Sequence, residues 1–461
     1  MKKAVEVSIV RARLLQGRVL RRLGFVLAGV AVLVAVAAAD ERAAIHLATD
    51  GQDTNPGTPA APVATLVKAI ELAERRPEPC DVVVHGGTYF VEKTVTVPAS
   101  QKKSRLVIRA ADNETPVFDG SIPIRDAEPL AGAPGVYTVN GDFHSDEPPP
   151  VWLEKTGRHL QKLVDLEAVK RTEYASVVLS GGTLAIRLRD RLSPVAADLR
   201  MSQAGLLYAL IITRDNVTVK EIEFRNFILN TAGSAIRIGP GLRIDPETPE
   251  KDRIGDMTDA TVIDSCVARN CHKGFHIYTG SANALISRCR MLNSITGIWV
   301  SGVDSVVEDC SLVNDPDWLL EKAPDSHRAY QYGVRMYNYC ARATIRRNLI
   351  KGFTNGIHCK NGWGTFHIEN NTVIQGLSRD QSRSRALRPN MNKDYHVRYN
   401  IFAGFAGAFG DSSSIPADAD LDGNVFWGPE YDFAETIKSF QERGIGLHNV
   451  YADPRFAAPR E

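Results

Sequence analysis

The chain has 461 residues, 44% of them hydrophobic and 7% aromatic, with a formal charge of +1 at pH 7. That composition excludes a disordered chain, and the lack of a basic excess argues against a nucleic-acid partner. Residues 1–39 hold seven basic side chains and one acid, so beyond them 48 Lys+Arg of the 55 face 53 Asp+Glu of the 54, a mildly acidic remainder.

The N-terminus reads as an export segment. Arg11, Arg13, Arg18, Arg21 and Arg22 precede an uninterrupted apolar run from Leu23 to Ala39 that ends in three alanines. A basic flank, an apolar stretch and small residues before Asp40 are the parts of a secretory signal, with cleavage expected after Ala39. The product is then secreted, periplasmic or held at the cell surface. Only if the segment is retained as a signal anchor does the chain have a membrane partner.

After it, Asp50-Gly51-Gln52-Asp53-Thr54-Asn55-Pro56-Gly57-Thr58 is a turn-rich loop. Val63, Leu66, Ala69, Ile70 and Ala73 then fall on one face at helical spacing, predicting a short helix that caps an otherwise open apolar end of the fold. Asp81 to Val84 reads as a strand leading into the Gly86-Gly87-Thr88-Tyr89 turn, and residues 40–120 are assigned to this cap and the first coils. Residues 121–205 are less regular, with strand-like pieces at 135–139, 150–153 and 183–188, and are expected to form an inserted β-rich subdomain.

From about Val217 the sequence repeats a short β-branched run, a polar turn and then Gly-apolar-X-apolar. The runs end at Cys266, Cys289, Cys310, Asn348, Asn371 and Asn400, separated by 23, 21, 38, 23 and 29 positions, with a further end at Asn424. Periods of this length with period-2 alternation predict a parallel β-helix, in which equivalent residues of successive coils stack in columns. Residues 206–430 form this main solenoid and 431–461 a C-terminal segment. The three cysteines and the asparagines then share one inward column, the asparagines as an amide ladder. The seven cysteines, with no paired spacing, act as small buried hydrophobes, not as a disulfide framework or zinc site. Insertions at 239–256, 314–331 and 376–394 are expected to emerge on the flank and wall a groove.

The G-x-D-x-N-P-G-T loop, the P-x-x-T-L-x-x-A-I helix, Gly86-Gly87-Thr88-Tyr89, Thr115-Pro116-Val117-Phe118-Asp119-Gly120 and the closing Asn449 to Phe456 together resemble exported bacterial right-handed parallel β-helix proteins of the pectate-lyase-like superfamily. The resemblance implies an all-β, single-stranded right-handed solenoid with a capping helix. It implies polysaccharide as the partner class without specifying an activity, because lyases, hydrolases, epimerases and inactive proteins share the scaffold.

The second half of each unit carries the candidate site. It reads Ser-Ala-Ile-Arg-Ile at 234–238, Gly-Phe-His-Ile-Tyr at 274–278, Gly-Ile-Trp-Val-Ser at 297–301, Gly-Val-Arg-Met-Tyr at 333–337 and Gly-Ile-His-Cys-Lys at 356–360. Alternation turns Ile236, Phe275, Ile298, Val334 and Ile357 inward. It leaves Arg237, His276, Trp299, Arg335 and His358 as one exterior column, extended by Arg388, beside Tyr278, Ser301, Tyr337 and Lys360. Rings stack on pyranose faces, and guanidinium or ammonium groups pair with uronate or sulfate.

This favours lyase-type β-elimination on an acidic extracellular glycan. Arg335 would neutralise the carboxylate, Lys360 or His358 would remove the C5 proton, and His276, Tyr278, Trp299, Tyr337, Arg237 and Arg388 would bind substrate. The alternatives are a glycoside hydrolase using two of Asp315, Asp317, Glu321 and Asp325, or a non-catalytic glycan-binding or structural surface protein. Ca²⁺ on these acids, or on Asp245 and Glu247, is a possible cofactor, although no spaced calcium motif is present. A monomer is expected.

Overall fold

Short β-branched runs separated by single-residue turns can satisfy their backbone only by pairing with the next coil, and the chain does this. The computed structural model describes residues 43–455, except 77–78, 101–103, 142, 144–148, 157, 204, 229–232, 242–256, 316–330, 361, 363, 376–383, 389–393, 410–418 and 429–432. The export segment expected at 1–39 lies outside the described residues.

Strands of successive coils pair in parallel on three faces. The first face runs from Ala43–Leu47 through Cys80–Val84, Leu106–Ala110 and Val217–Lys220 to Asp420–Asp422, eleven strands in one sheet. The second begins with Gly87–Phe90 and Pro116–Asp119 and the third with Val95–Val97 and Tyr208–Ile212. Inward columns such as Val219, Ile263, Ile286, Val307, Ile345, Ile368, Val397 and Leu421 fill one continuous apolar core.

The turn from first to second face is one residue with left-handed backbone followed by the inward ladder residue. Ser265, Arg288, Asp309, Arg347, Asn370 and Tyr399 have φ between 53° and 59°, a conformation that costs a non-glycine residue energy. The ladder offsets it. Asn348 Nδ2 donates to Asn371 Oδ1 at 3.0 Å, Asn371 to Asn400 at 3.0 Å, Asn400 to Asn424 at 3.0 Å and Asn424 to Asn449 at 3.1 Å. Asn449 thus adds a rung that the repeat pattern did not include. All seven cysteines are buried and none forms a disulfide.

The repeated glycine that opens each third-face strand is a matter of space. A Cβ on Gly333 would sit 2.2 Å from Ile350 Cγ2 and 2.7 Å from the Gly356 carbonyl oxygen, and Gly274, Gly297 and Gly356 meet the same obstruction from the neighbouring coil. Gly333→Ala is therefore expected to lower stability by about 2–3 kcal/mol through overpacking, read as a lower urea midpoint with the slope unchanged.

Both ends are covered. Leu66–Arg75 (α1) lays Leu66, Ala69, Ile70 and Ala73 on the first coil. Its N-cap Thr65 is held by Asp53, whose carboxylate accepts from the Ala64 and Thr65 amides at 3.0 and 2.9 Å and from the Thr65 hydroxyl at 2.7 Å, which ties the turn-rich loop to the helix. At the other end the helix Phe433–Glu442 buries Ile437 and Phe440, with Phe440 edge-on to Phe409.

Between the second-face strand Pro116–Asp119 and the third-face strand Tyr208–Ile212 the chain leaves the solenoid. It builds a three-stranded antiparallel sheet (Ser121–Pro123, Val151–Leu153, Leu199–Ser202) and a five-stranded one, and the two share an apolar core separate from that of the solenoid. Arg225 ties the solenoid to the insert, 2.7 Å from Asp119 of the solenoid and 3.5 Å from Glu154 of the insert. The chain connections at 239–258, 314–331 and 389–394 also begin or end on the third face, whereas the turns from first to second face are short. The 376–394 stretch is not one insertion, because it contains the third-face strand Arg385–Arg388.

Candidate functional site: a cationic and aromatic stripe on the third face

Register places the exterior residues of the third face in one file. Arg237 pairs with His276, His276 with Trp299, Trp299 with Arg335, Arg335 with His358 and His358 with Arg388, and beside them Tyr337 pairs with Lys360. Six strands about 4.8 Å apart make this column about 24 Å long. Tyr278 joins it edge-on to His276, with centroids 4.8 Å apart.

The stripe is less open than alternation alone suggests. His276 is 4% exposed and His358 9%, while Arg237, Trp299, Arg335, Tyr337 and Arg388 are half-buried and Lys360 is exposed. The reason is lateral packing. Bulky side chains lie against one another within the column and across to its neighbours: His276 on Trp299 at 5.6 Å, Trp299 on Tyr337 at 5.1 Å and His358 stacked on Tyr332 at 4.9 Å. Outward-facing residues are sheathed by their neighbours instead of being fully solvated.

Arg335 lies at the centre. Its guanidinium carbon is 4.4 Å from the Trp299 ring centre, 4.4 Å from Tyr332 and 4.2 Å from Tyr337, and its Nε has no hydrogen-bond partner among the described residues. Three ring faces compensate part of its lost hydration, while no described carboxylate neutralises it. Arg237 is held between Tyr208 and Tyr278, at 5.3 and 4.8 Å. The Trp299 indole is fixed in turn: its Nε1 donates to Ser301 Oγ at 2.9 Å, and that hydroxyl donates to the Tyr337 carbonyl at 2.6 Å.

Two members escaped the sequence pattern. Lys273 and Tyr332 sit two residues before inward Phe275 and Val334, so strict alternation sends them into the core. Lys273 Nζ nevertheless lies 5.1 Å from the Trp299 ring centre, and Tyr332 packs on Arg335 and His358. Lys273 is 4% exposed, and burial, then the charge of Arg335, lowers its ammonium to about 8. Burial, then Arg335, Arg388 and Lys360, pushes His358 down to about 3, and burial, then Lys273, Arg237 and His272, holds His276 well below the ordinary histidine range. Both imidazoles are neutral at pH 7. Among the described residues neither His276 nitrogen has a hydrogen-bond partner, nor has His358 Nδ1.

The first face offers a control within the same molecule. Its exterior column runs Lys220, Asp264, Ser287, Glu308, Arg346, Glu369, Arg398, Asp422, with acids beside bases throughout its second half, and Arg346 Nη2 lies 2.7 Å from Glu308. A column serving only stability balances its charges. The third-face column from Arg237 to Arg388 contains cations and rings and, among the described residues, no carboxylate.

Of the acids considered for hydrolysis or for Ca²⁺, only Asp315 falls among the described residues. Asp317, Glu321, Asp325, Asp245 and Glu247 lie outside the described residues, and Asp315 stands at the end of a second-face strand, its amide on Asn293 Oδ1. Among the described residues no group of three or more His, Cys, Asp or Glu is placed to hold a metal ion. The stripe's own donors are cations and do not fit Ca²⁺.

Residues 208–376 match the family model described as a right handed beta helix region. No curated protein sequence matches the chain. Among solved structures the fold is similar to that of XylC in complex with xylose, with a TM-score of 0.58 and 13% identity over 83% of this chain and 68% of that one. A glycoside hydrolase superposes with a TM-score of 0.46 at 13% identity, covering 88% and 99% of the two chains, and a rhamnogalacturonan lyase with 0.40 at 14%, covering 84% and 73%. At such identities the likeness is one of fold.

Proposed function

We propose that this chain, a right-handed parallel β-helix of the pectate-lyase-like superfamily, acts outside the cell on an acidic polysaccharide laid along the third face, by β-elimination. The observation that carries the reading is the positive column: Arg237, Arg335 and Arg388 stand in one register beside rings, with no carboxylate among the described residues of that column. Partly buried like charges raise the energy of the unliganded protein, and an anion relieves that cost. A uronate chain supplies carboxylates at regular intervals and ring faces for Trp299 and Tyr337.

In this reading Arg335, whose Nε–H has no partner among the described residues, pairs with the carboxylate of the reacting sugar and stabilises the enolate that forms when the C5 proton leaves. Lys360, exposed one coil on and 5.7 Å from the Tyr337 ring, removes that proton. The electron pair then expels the C4 oxygen, which takes a proton from solvent and leaves as a hydroxyl, and a double bond remains between C4 and C5. His358, neutral and weakly basic, is better suited to hydrogen bonding substrate than to taking a proton. His276, Tyr278, Trp299, Tyr337, Arg237 and Arg388 hold the chain, and Lys273 beneath Trp299 adds to the attraction.

Incubation with a panel of uronate-containing and sulfated glycans tests this. New ultraviolet absorbance from unsaturated ends is expected, together with its loss in Lys360→Ala. Reducing ends without that absorbance would mean hydrolysis, and retention on a polysaccharide gel without product a non-catalytic binder.

Affinity carries a pH signature. Below pH 8 Lys273 holds its proton in the folded protein, and above it the groove loses a positive charge, so binding of a uronate oligomer is expected to weaken as pH rises through about 8. Lys273→Met should bind more weakly at pH 7 and lose that dependence, measured by calorimetry at several pH values.

A further inference from the structure

The junction between the solenoid and the inserted subdomain encloses a cleft of about 670 Å³, the size of pocket that takes a small organic ligand. It does not belong to the third-face stripe. It opens beside Phe90 and Glu92, at the corner where the second coil leaves its second face, and its far wall comes from the insert.

The walls have a consistent chemistry. Ile122, Pro123, Val139 and Met201 present an apolar side. Glu92, Asp126 and Glu128 contribute exposed carboxylates to the same lining, with Arg125 its one cation among the described residues. Phe90, also lining the cleft, is 48% exposed, and the Arg200 guanidinium lies 5.6 Å from its centre.

We infer that this cleft is a second saccharide-binding site, selective for uncharged sugars. A pyranose has an apolar face for the aliphatic side or the Phe90 ring and hydroxyls that donate to carboxylates, which are strong acceptors when ionised. A uronate or sulfate would meet Glu92, Asp126 and Glu128 and be repelled. The two sites therefore have opposite charge preference. The cleft holds the protein to a neutral glycan while the stripe handles an anionic one, an arrangement suited to a matrix in which the two kinds of polymer lie together.

The test uses the chain beyond the export segment and neutral gluco-, xylo- and manno-oligosaccharides, titrated by calorimetry, with a uronate oligomer as the second probe. At least one neutral series is expected to bind saturably without displacing the uronate oligomer. Phe90→Ala, and separately Glu92→Gln combined with Asp126→Asn, should weaken it about tenfold or more, with uronate binding unchanged. All three positions are exposed or half-exposed, and the uronate titration reports that the fold is intact. No saturable neutral ligand, affinity unaltered in both variants, or loss of uronate binding in parallel would each overturn the assignment. Because uronate binding is read separately, failure here is distinguishable from failure of the elimination reading.

Discussion

Arg335→Ala is expected to lower kcat/KM on an acidic polymer by about 10²–10³-fold, the range seen when a single group that stabilises a developing oxyanion is removed. The argument is electrostatic. Its guanidinium is the most ring-enclosed cation of the stripe, contacted by Trp299, Tyr332 and Tyr337; burial lowers its pKa, and an arginine keeps its charge in proteins, so it is the fixed charge at the centre. Arg335→Lys keeps the charge but loses the planar donors and the ring stacking, so only part of the rate should return. Stability need not fall with activity, because removing a half-buried cation next to Lys273 relieves repulsion. A variant that retains full turnover would end the proposed role, whereas one that is inactive and also unfolded would be replaced by Arg335→Met, which keeps the packing.

Asn371→Ala should have the largest effect on stability, about 3–5 kcal/mol, measured as a fall in the urea midpoint. Asn371 is 1% exposed and lies inside the ladder. Its Oδ1 accepts from the Asn348 amide at 3.1 Å and from Asn348 Nδ2 at 3.0 Å, while its Nδ2 donates to the Ile345 carbonyl at 2.8 Å and to Asn400 Oδ1 at 3.0 Å. Alanine leaves these groups buried without replacement and opens a void. Asn371→Cys should recover part of the loss, since Cys310 fills the equivalent position two coils earlier and its thiol reaches the Glu308 carbonyl at 3.2 Å. If Asn371→Ala unfolded at the wild-type midpoint, the ladder would not be a source of cohesion.

The same coupling of charge and burial makes a stability statement about Lys273. Its folded pKa is depressed, so between about 8 and the ordinary lysine range the unfolded chain binds more protons than the folded one, and stability rises with pH. Affinity for an anion is expected to move the opposite way over that window. A group that costs stability when charged and gains affinity by it has the energetics of a binding site more than of a scaffold.

How much of this was legible depended on whether the signal was local and repeated. The columns Arg237 to Arg388 and Tyr337 with Lys360 came from alternation within each short strand and from the near-constant period, because parallel coils in register convert sequence spacing into vertical neighbours. The ladder was legible for the same reason, and the capping helix from its own spacing. Lys273 and Tyr332 were not legible, since the strand departs from strict alternation beside a glycine, and whether a side chain two residues before an inward one points the same way depends on the neighbouring coil.

By itself the sequence determined the solenoid, its registers and the identity of the stripe, since each rests on interactions between like units that repeat. Only the tertiary structure decided how deeply His276 and His358 are sheathed, that Lys273 lies beneath Trp299 with its proton loosened, and that residues from coil and insert meet around a cleft. Burial and pKa are set by everything within a few ångströms in space, and in this molecule those neighbours come from stretches of chain that no local pattern connects.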